Sequence, residues 1–244
     1  MKKLSIDINS DLGEGIGNDH LLMPYISSCS IACGGHFGND VSMRETICLA
    51  KKHQVRVGAH PSFPDTENFG RTVLVISSER LSETIYNQIM NLQTICLEEG
   101  ITMQHVKLHG ALYNETCTNT EVAEAAIKAI LETKLKVSLF APFNAEITKL
   151  ANKVLPVIHE AFIDRRYNNN LRLVSRTSPD ALIYNPEVAF NQLYGMVYSQ
   201  EVRTISNKIK PIIAETFCVH GDTSNAMQIL EYIHQQFDKN KCDE

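Results

Sequence analysis

Short apolar segments of period two alternate with longer segments of period 3.6 along this 244-residue chain. No other feature restricts the fold as strongly. A strand sends successive side chains to opposite faces, whereas a helix buries one stripe, so the two periods mark the two element types. Their regular alternation makes successive strands parallel, with helices as the crossovers. Candidate strands fall near 4–9, 28–33, 55–60, 104–109, 135–140, 155–162, 181–184 and 215–220. Helices are predicted over 40–53, 78–99, 120–133 and 186–203, with a last one capped by Asp222 or Thr223 and running to about Phe237. The helix over 78–99 is the clearest, with Leu81, Ile85, Ile89, Leu92 and Cys96 on one stripe and Gly100 as its stop. Seven or eight such units in a chain close to the ~250 residues of one barrel predict a single parallel (β/α) barrel. It is expected to occupy residues 1–237 and to be followed by a polar tail over 238–244, because no Pro/Ser/Gly-rich linker divides the chain.

Charge and composition then remove whole classes of function. The chain carries 23 Lys and Arg against 28 Asp and Glu, for a net charge of −5, and no basic run is longer than a pair. The electrostatic attraction that drives nucleic-acid binding therefore has no source. Met1-Lys2-Lys3 starts like a signal peptide, but Asp7 and Asp11 interrupt it before an apolar region forms. No apolar run approaches the ~18 residues of a membrane span. Seven cysteines without a C-x-x-C pair read as reduced core residues of a cytoplasmic protein, Cys29 and Cys33 included.

The chemistry collects at strand ends. Asp7, Asn9 and Asp11 alternate with Leu4, Ile6 and Ile8, and Gly13-Glu14-Gly15 follows. His105, Lys107 and His109 share one phase of another strand. His36, His60, Glu160, Asp164, Arg165, His220 and Asp222 lie at or just beyond the ends of others. Singly, each has an ordinary structural explanation, such as a satisfied buried histidine or a salt-bridge partner. A parallel barrel, however, gathers the carboxyl ends of its strands around one mouth, and an active site there explains all of them together. The set suits attack on a carbonyl or amide. Asp11 or Glu14 could serve as general base, His60 or His109 could exchange protons near neutral pH, and Lys107 could stabilise an oxyanion. Asp11 with His60 and His109 also suits a divalent metal, although no H-E-x-x-H spacing marks a ligand set. Placement at a mouth further predicts that Lys107→Ala or Asp11→Asn abolishes turnover at little cost in stability. Phosphate loops, dinucleotide fingerprints and nucleophile elbows are all missing, and Gly13–Gly17 follows none of their patterns.

The motifs Ile6-Asp7-Ile8-Asn9-Ser10-Asp11-Leu12-Gly13-Glu14, Ile31-Ala32-Cys33-Gly34-Gly35-His36, Gly58-Ala59-His60-Pro61-Ser62-Phe63-Pro64-Asp65 and Phe69-Gly70-Arg71 resemble the LamB/YcsF family, that of the 5-oxoprolinase A subunit. His105 to Asn114, Glu160 to Tyr167 and Cys218 to Asp222 extend the likeness nearly end to end. The resemblance implies a barrel of the glycoside hydrolase/deacetylase type. It also implies ATP-dependent opening of 5-oxo-L-proline (pyroglutamate) to L-glutamate with two partner subunits, which would handle ATP and Mg²⁺ since this chain has no nucleotide motif. Asp11, Glu14, His60, Lys107 and His109 are then the expected catalytic residues. His36, Arg71, His105, Asp164, Arg165, His220 and Asp222 are the expected substrate-binding residues. The alternatives are a metal-dependent amide hydrolase or carbohydrate deacetylase, and a non-catalytic scaffold within the complex.

Overall fold

In the computed structural model, which describes residues 6–240, the chain runs through β1 (Asp7–Leu12), β2 (Ser28–Ala32), β3 (Arg56–His60), β4 (Met103–Lys107), β5 (Ser138–Pro142) and β6 (Val157–Phe162). An antiparallel hairpin of β7 (Glu201–Arg203) and β8 (Ile209–Pro211) precedes β9 (Thr216–Cys218). β1 to β6 are parallel neighbours in chain order, and β9 pairs with both β6 and β1 to close a seven-stranded barrel. The helices are α1 (Asp19–Leu22), α2 (Asp40–His53), α3 (Ser78–Glu98), α4 (Gly110–Glu115), α5 (Thr120–Glu132), α6 (Glu146–Ala151), α7 (Pro186–Tyr194) and α8 (Ala226–Asn240).

The sequence explains the elements that position the mouth. Asn39 caps α2 through its side chain, with Ser42 returning a bond to the Asn39 backbone. On α3, Leu81, Ile85, Ile89, Leu92 and Cys96 are all buried. Gly100, at φ +68°, lets the chain leave the helix in the left-handed region. Asn185 caps α7 ahead of Pro186, whose missing N–H is harmless at the first helical position. Leaving β1, Gly13 and Gly15 adopt φ of +70° and +75° on either side of Glu14, and a Cβ on Gly15 would strike the Phe37 ring. This turn returns Glu14 to the mouth.

Several expectations differ from the structure. Residues 181–184 form no barrel strand, because β9 already pairs with β6; Leu182 instead makes an isolated antiparallel bridge with Arg165. The helix predicted over 186–203 stops at Tyr194. Gly195–Ser199 widens into a π turn, Gln200 turns left-handed, and Glu201–Arg203 is drawn into the hairpin by a partner strand farther along the chain. Asp222 and Thr223 do not cap α8 with their side chains. Asp222 binds arginines and the Thr223 hydroxyl donates to Asp164, while α8 begins only at Ala226. That helix continues to Asn240, into the stretch expected to be a polar tail. Cys29, Cys33, Cys96 and Cys218 are buried as expected, but Cys48 is exposed and Cys117 half-buried. Met1-Lys2-Lys3, the start of the first predicted strand at Leu4, Cys242 and the last residues of the tail lie outside the described residues.

Candidate active site

Lys107 ends β4, across the barrel from β1, yet its Nζ lies 2.9 Å from Asp11 Oδ1 and 3.2 Å from Asn9 Oδ1. It also lies 2.8 Å from Glu160 Oε1 on β6 and 3.1 Å from Cys218 Sγ on β9. A side chain that meets three other strands must cross the lumen, and Lys107 is only 1% exposed. Burial opposes its charge, but the Asp11 and Glu160 carboxylates outweigh that and push the ammonium pKa well up. Burial likewise opposes ionisation of Asp11, yet His60 and Lys107 hold its carboxyl well below the usual carboxylate range. Tyr113 donates to Glu160 Oε2 at 2.8 Å and completes this buried charge pair from outside.

Three imidazoles and Glu14 lie beside it. His36 stacks on His109 with ring centroids 3.6 Å apart, and its Nε2 is 3.0 Å from Glu14 Oε1. His109 Nδ1 lies 3.3 Å from the same oxygen and 2.9 Å from His60 Nε2, which in turn is 3.4 Å from Asp11 Oδ2. Burial pushes His36 and His109 down, toward the neutral imidazole. Glu14 is lowered despite burial, through its hydrogen bonds to His109 and His36.

On the β6–β9 side, Asp164 accepts from the His220 Nδ1–H at 2.9 Å, from the His220 backbone N–H at 3.1 Å and from the Thr223 hydroxyl at 2.6 Å. Burial works against ionisation, but these partners hold the Asp164 carboxyl at about 2. The bond orients the His220 ring and assigns the Nδ1 proton, so the neutral ring carries its lone pair on Nε2. Above it, Asp222 pairs with Arg71 and, through both carboxylate oxygens at 2.9 and 3.2 Å, with Arg176.

Two expected site residues are placed elsewhere. His105 points into the lumen one layer below Lys107, stacked on Phe140 at 4.0 Å, with Nε2 3.1 Å from Ser30 Oγ and its ring filling the space left by Gly58. Burial and then the Lys107 ammonium push it down to about 3, as a neutral core residue. Arg165 donates to the Val174 carbonyl at 2.7 Å and so ties down the segment after β6. The structure adds Glu160 and Cys218 as partners of Lys107, and Arg176, which no sequence signal marks because it sits in an irregular segment without periodicity. Strand phase identifies Glu160, as it does Asn9. Among the described residues, donor atoms lie within 4.8 Å of one another, close enough for a metal ion, in Asp11, Cys218 and His220 and in Glu14, His36 and His109, and His60 Nε2 lies within 3.8 Å of the Glu14 and His109 donors of the second group.

A seven-stranded parallel barrel with a buried carboxylate, imidazole and ammonium cluster at its carboxyl ends defines a class of barrel proteins with enzyme-like mouths. Within that class, the LamB/YcsF family pattern matches residues 6–243, and this chain belongs to that family. The 5-oxoprolinase A subunit of Bacillus cytotoxicus is 40% identical over 240 residues, covering 96% of this chain and 95% of its own. Its counterpart of the same name from Bacillus cereus strain AH820 is 39% identical over 244 residues, covering 97% and 96%. Among solved structures, the lactam utilization protein of Thermus thermophilus superposes with a TM-score of 0.90 at 32% identity, covering 98% of each chain.

Proposed function

We propose that this chain is the ring-opening component of a cytoplasmic, ATP-dependent 5-oxoprolinase that converts 5-oxo-L-proline to L-glutamate with two partner subunits. The observation that carries the reading is a fully buried ammonium beside oriented carboxylates and imidazoles, in a chain about 40% identical to proteins named as the 5-oxoprolinase A subunit. A five-membered lactam is a stable amide, so its opening needs charge stabilisation at the carbonyl oxygen and a base for water. Lys107 supplies positive charge in a water-poor lumen, where it acts more strongly than in solvent. His220, held by Asp164, offers Nε2 to take the proton from water, and Asp11 and Glu14 line the same mouth. The partner subunits activate the substrate with Mg²⁺-ATP, and this chain completes hydrolysis.

Reconstitution tests this division. The isolated chain should release no glutamate from 5-oxoproline, whereas adding both partners with Mg²⁺-ATP should yield glutamate and ADP together. Glutamate from the isolated chain without ATP would favour a self-sufficient amide hydrolase. Full activity of a complex carrying Asp11→Asn, Lys107→Met and His109→Gln together would leave this chain a scaffold.

A further inference from the structure

We propose that the mouth binds one divalent cation of the zinc class between His60 Nε2, His109 Nδ1 and Glu14 Oε1. The inference concerns the same mouth but rests on none of the lactam chemistry. It starts from two backbone carbonyls, which can only accept hydrogen bonds. His60 Nδ1 lies 2.9 Å from the Lys107 carbonyl oxygen, so this nitrogen carries the proton and Nε2 the lone pair. His109 Nε2 lies 2.9 Å from the Phe69 carbonyl oxygen, so there Nδ1 carries the lone pair. These two lone-pair nitrogens face each other at 2.9 Å. Such an approach is repulsive unless a cation, either a proton or a metal ion, lies between them.

Three further observations favour the metal. Glu14 Oε1 closes a triangle with the two nitrogens, at 3.3 Å from His109 and 3.8 Å from His60. Metal bonds of about 2.0–2.1 Å in tetrahedral array set donor atoms roughly 3.3 Å apart, and the three edges bracket that spacing. Each donor is also oriented by a further hydrogen bond, as metal ligands are: the imidazoles through their other ring nitrogens by the two carbonyls, and Glu14 by His36, 3.0 Å from the same Oε1. Finally, Asp11 and Glu160 share the one ammonium of Lys107 while Glu14 is met by the imidazoles of His36, His60 and His109, an imbalance that a divalent ion offsets and a lone proton does not.

Two nitrogen donors and one oxygen suit Zn²⁺ or Co²⁺ better than Mg²⁺ or Ca²⁺, which prefer all-oxygen shells. Relative to the sequence-derived set of Asp11, His60 and His109, Glu14 replaces Asp11 as the bridging carboxylate. Asp11 gives Oδ1 to Lys107 and keeps Oδ2, 3.4 Å from His60, at the margin of the site. In the rival group of Asp11, Cys218 and His220, the Cys218 sulfur and Asp11 Oδ1 are already engaged by the Lys107 ammonium at 3.1 and 2.9 Å. When bound, such an ion polarises a carbonyl oxygen.

Titration of the chelator-stripped full chain with Co²⁺, followed by visible absorption, and with Zn²⁺, followed by calorimetry, tests the proposal without lactam, ATP or partners. One equivalent per chain is expected, with a Co²⁺ spectrum showing nitrogen ligation. His109→Gln and His60→Gln should each weaken binding at least about tenfold, as should His36→Ala through loss of Glu14 orientation. Cys218→Ser should bind as the parent does, and circular dichroism of each variant separates lost ligands from lost folding. If a His109→Gln chain folds poorly, Glu14→Gln replaces it. Absence of stoichiometric metal, with ¹⁵N resonances showing a proton shared by His60 and His109, overturns the proposal. Binding that survives the histidine variants but not Cys218→Ser also overturns it. Failure of lactam turnover would leave the metal result standing, and the reverse holds equally.

Discussion

Among single residues, Lys107 shows how burial changes what a substitution does. Placement at a mouth predicts that its removal costs activity but not stability, yet the side chain is 1% exposed and bridges Asp11 and Glu160. Removing one member of a buried charge network strands the others, at a cost of about 3–5 kcal/mol. Lys107→Ala should therefore lower stability by about that amount at neutral pH as well as abolish turnover. In the parent protein, Asp11 has a lowered pKa, so it contributes stability above its unfolded value that is lost as pH falls. Without Lys107 that depression weakens, so the difference between variant and parent should narrow as pH falls. Denaturant unfolding across pH measures this, and an unchanged midpoint at neutral pH would contradict the buried-network reading.

Among elements, α3 was legible because its information is local. Ile89 is fully buried on the stripe read directly from the 3.6 period, within the helix that packs most extensively on α5. Ile89→Ala should lower stability by about 2–5 kcal/mol with little effect on any binding at the mouth, as measured by chemical denaturation. A loss below about 1 kcal/mol would mean that the site collapses around the cavity. The π turn and the β7–β8 hairpin were not legible, since Val202 and Arg203 become a strand only when Ile209–Pro211 hydrogen-bonds to them. Likewise, Ala181 and Ile183 read as a strand but pair backbone-to-backbone with Arg166 and Asp164 outside the barrel.

Across the molecule, the mouth is closed by a segment distant from it in sequence. The loop after β3 places the Phe69 carbonyl on His109 and the Gly70 carbonyl on the Ala111 N–H, and Arg71 reaches Asp222 beyond β9. Asp222 also holds Arg176, so one carboxylate joins three stretches of chain above the buried cluster. Asp222→Ala should raise amide hydrogen exchange across residues 64–76 while leaving α3 protected, because the ion pairs hold the cover and not the barrel. Equal exchange in the two proteins would show that the backbone bonds alone keep the loop closed.

Local patterning is enough to set the parallel barrel, most strand positions and the phase that sends Asn9, Asp11, His105, Lys107 and Glu160 inward. Each of these follows from side-chain alternation along a single strand. Depth and partnership arise only when the strands assemble. His105 and Lys107 share a phase, but one layer of barrel separates a neutral core imidazole stacked on Phe140 from an ammonium between two carboxylates. Which nitrogen of His60 and His109 faces the mouth depends on the carbonyls of Lys107 and Phe69, contributed by other strands and loops. Arg176 and the Arg165–Val174 tie belong to a segment with no period to read, so their positions depend on contacts between residues far apart in sequence or held by an irregular backbone.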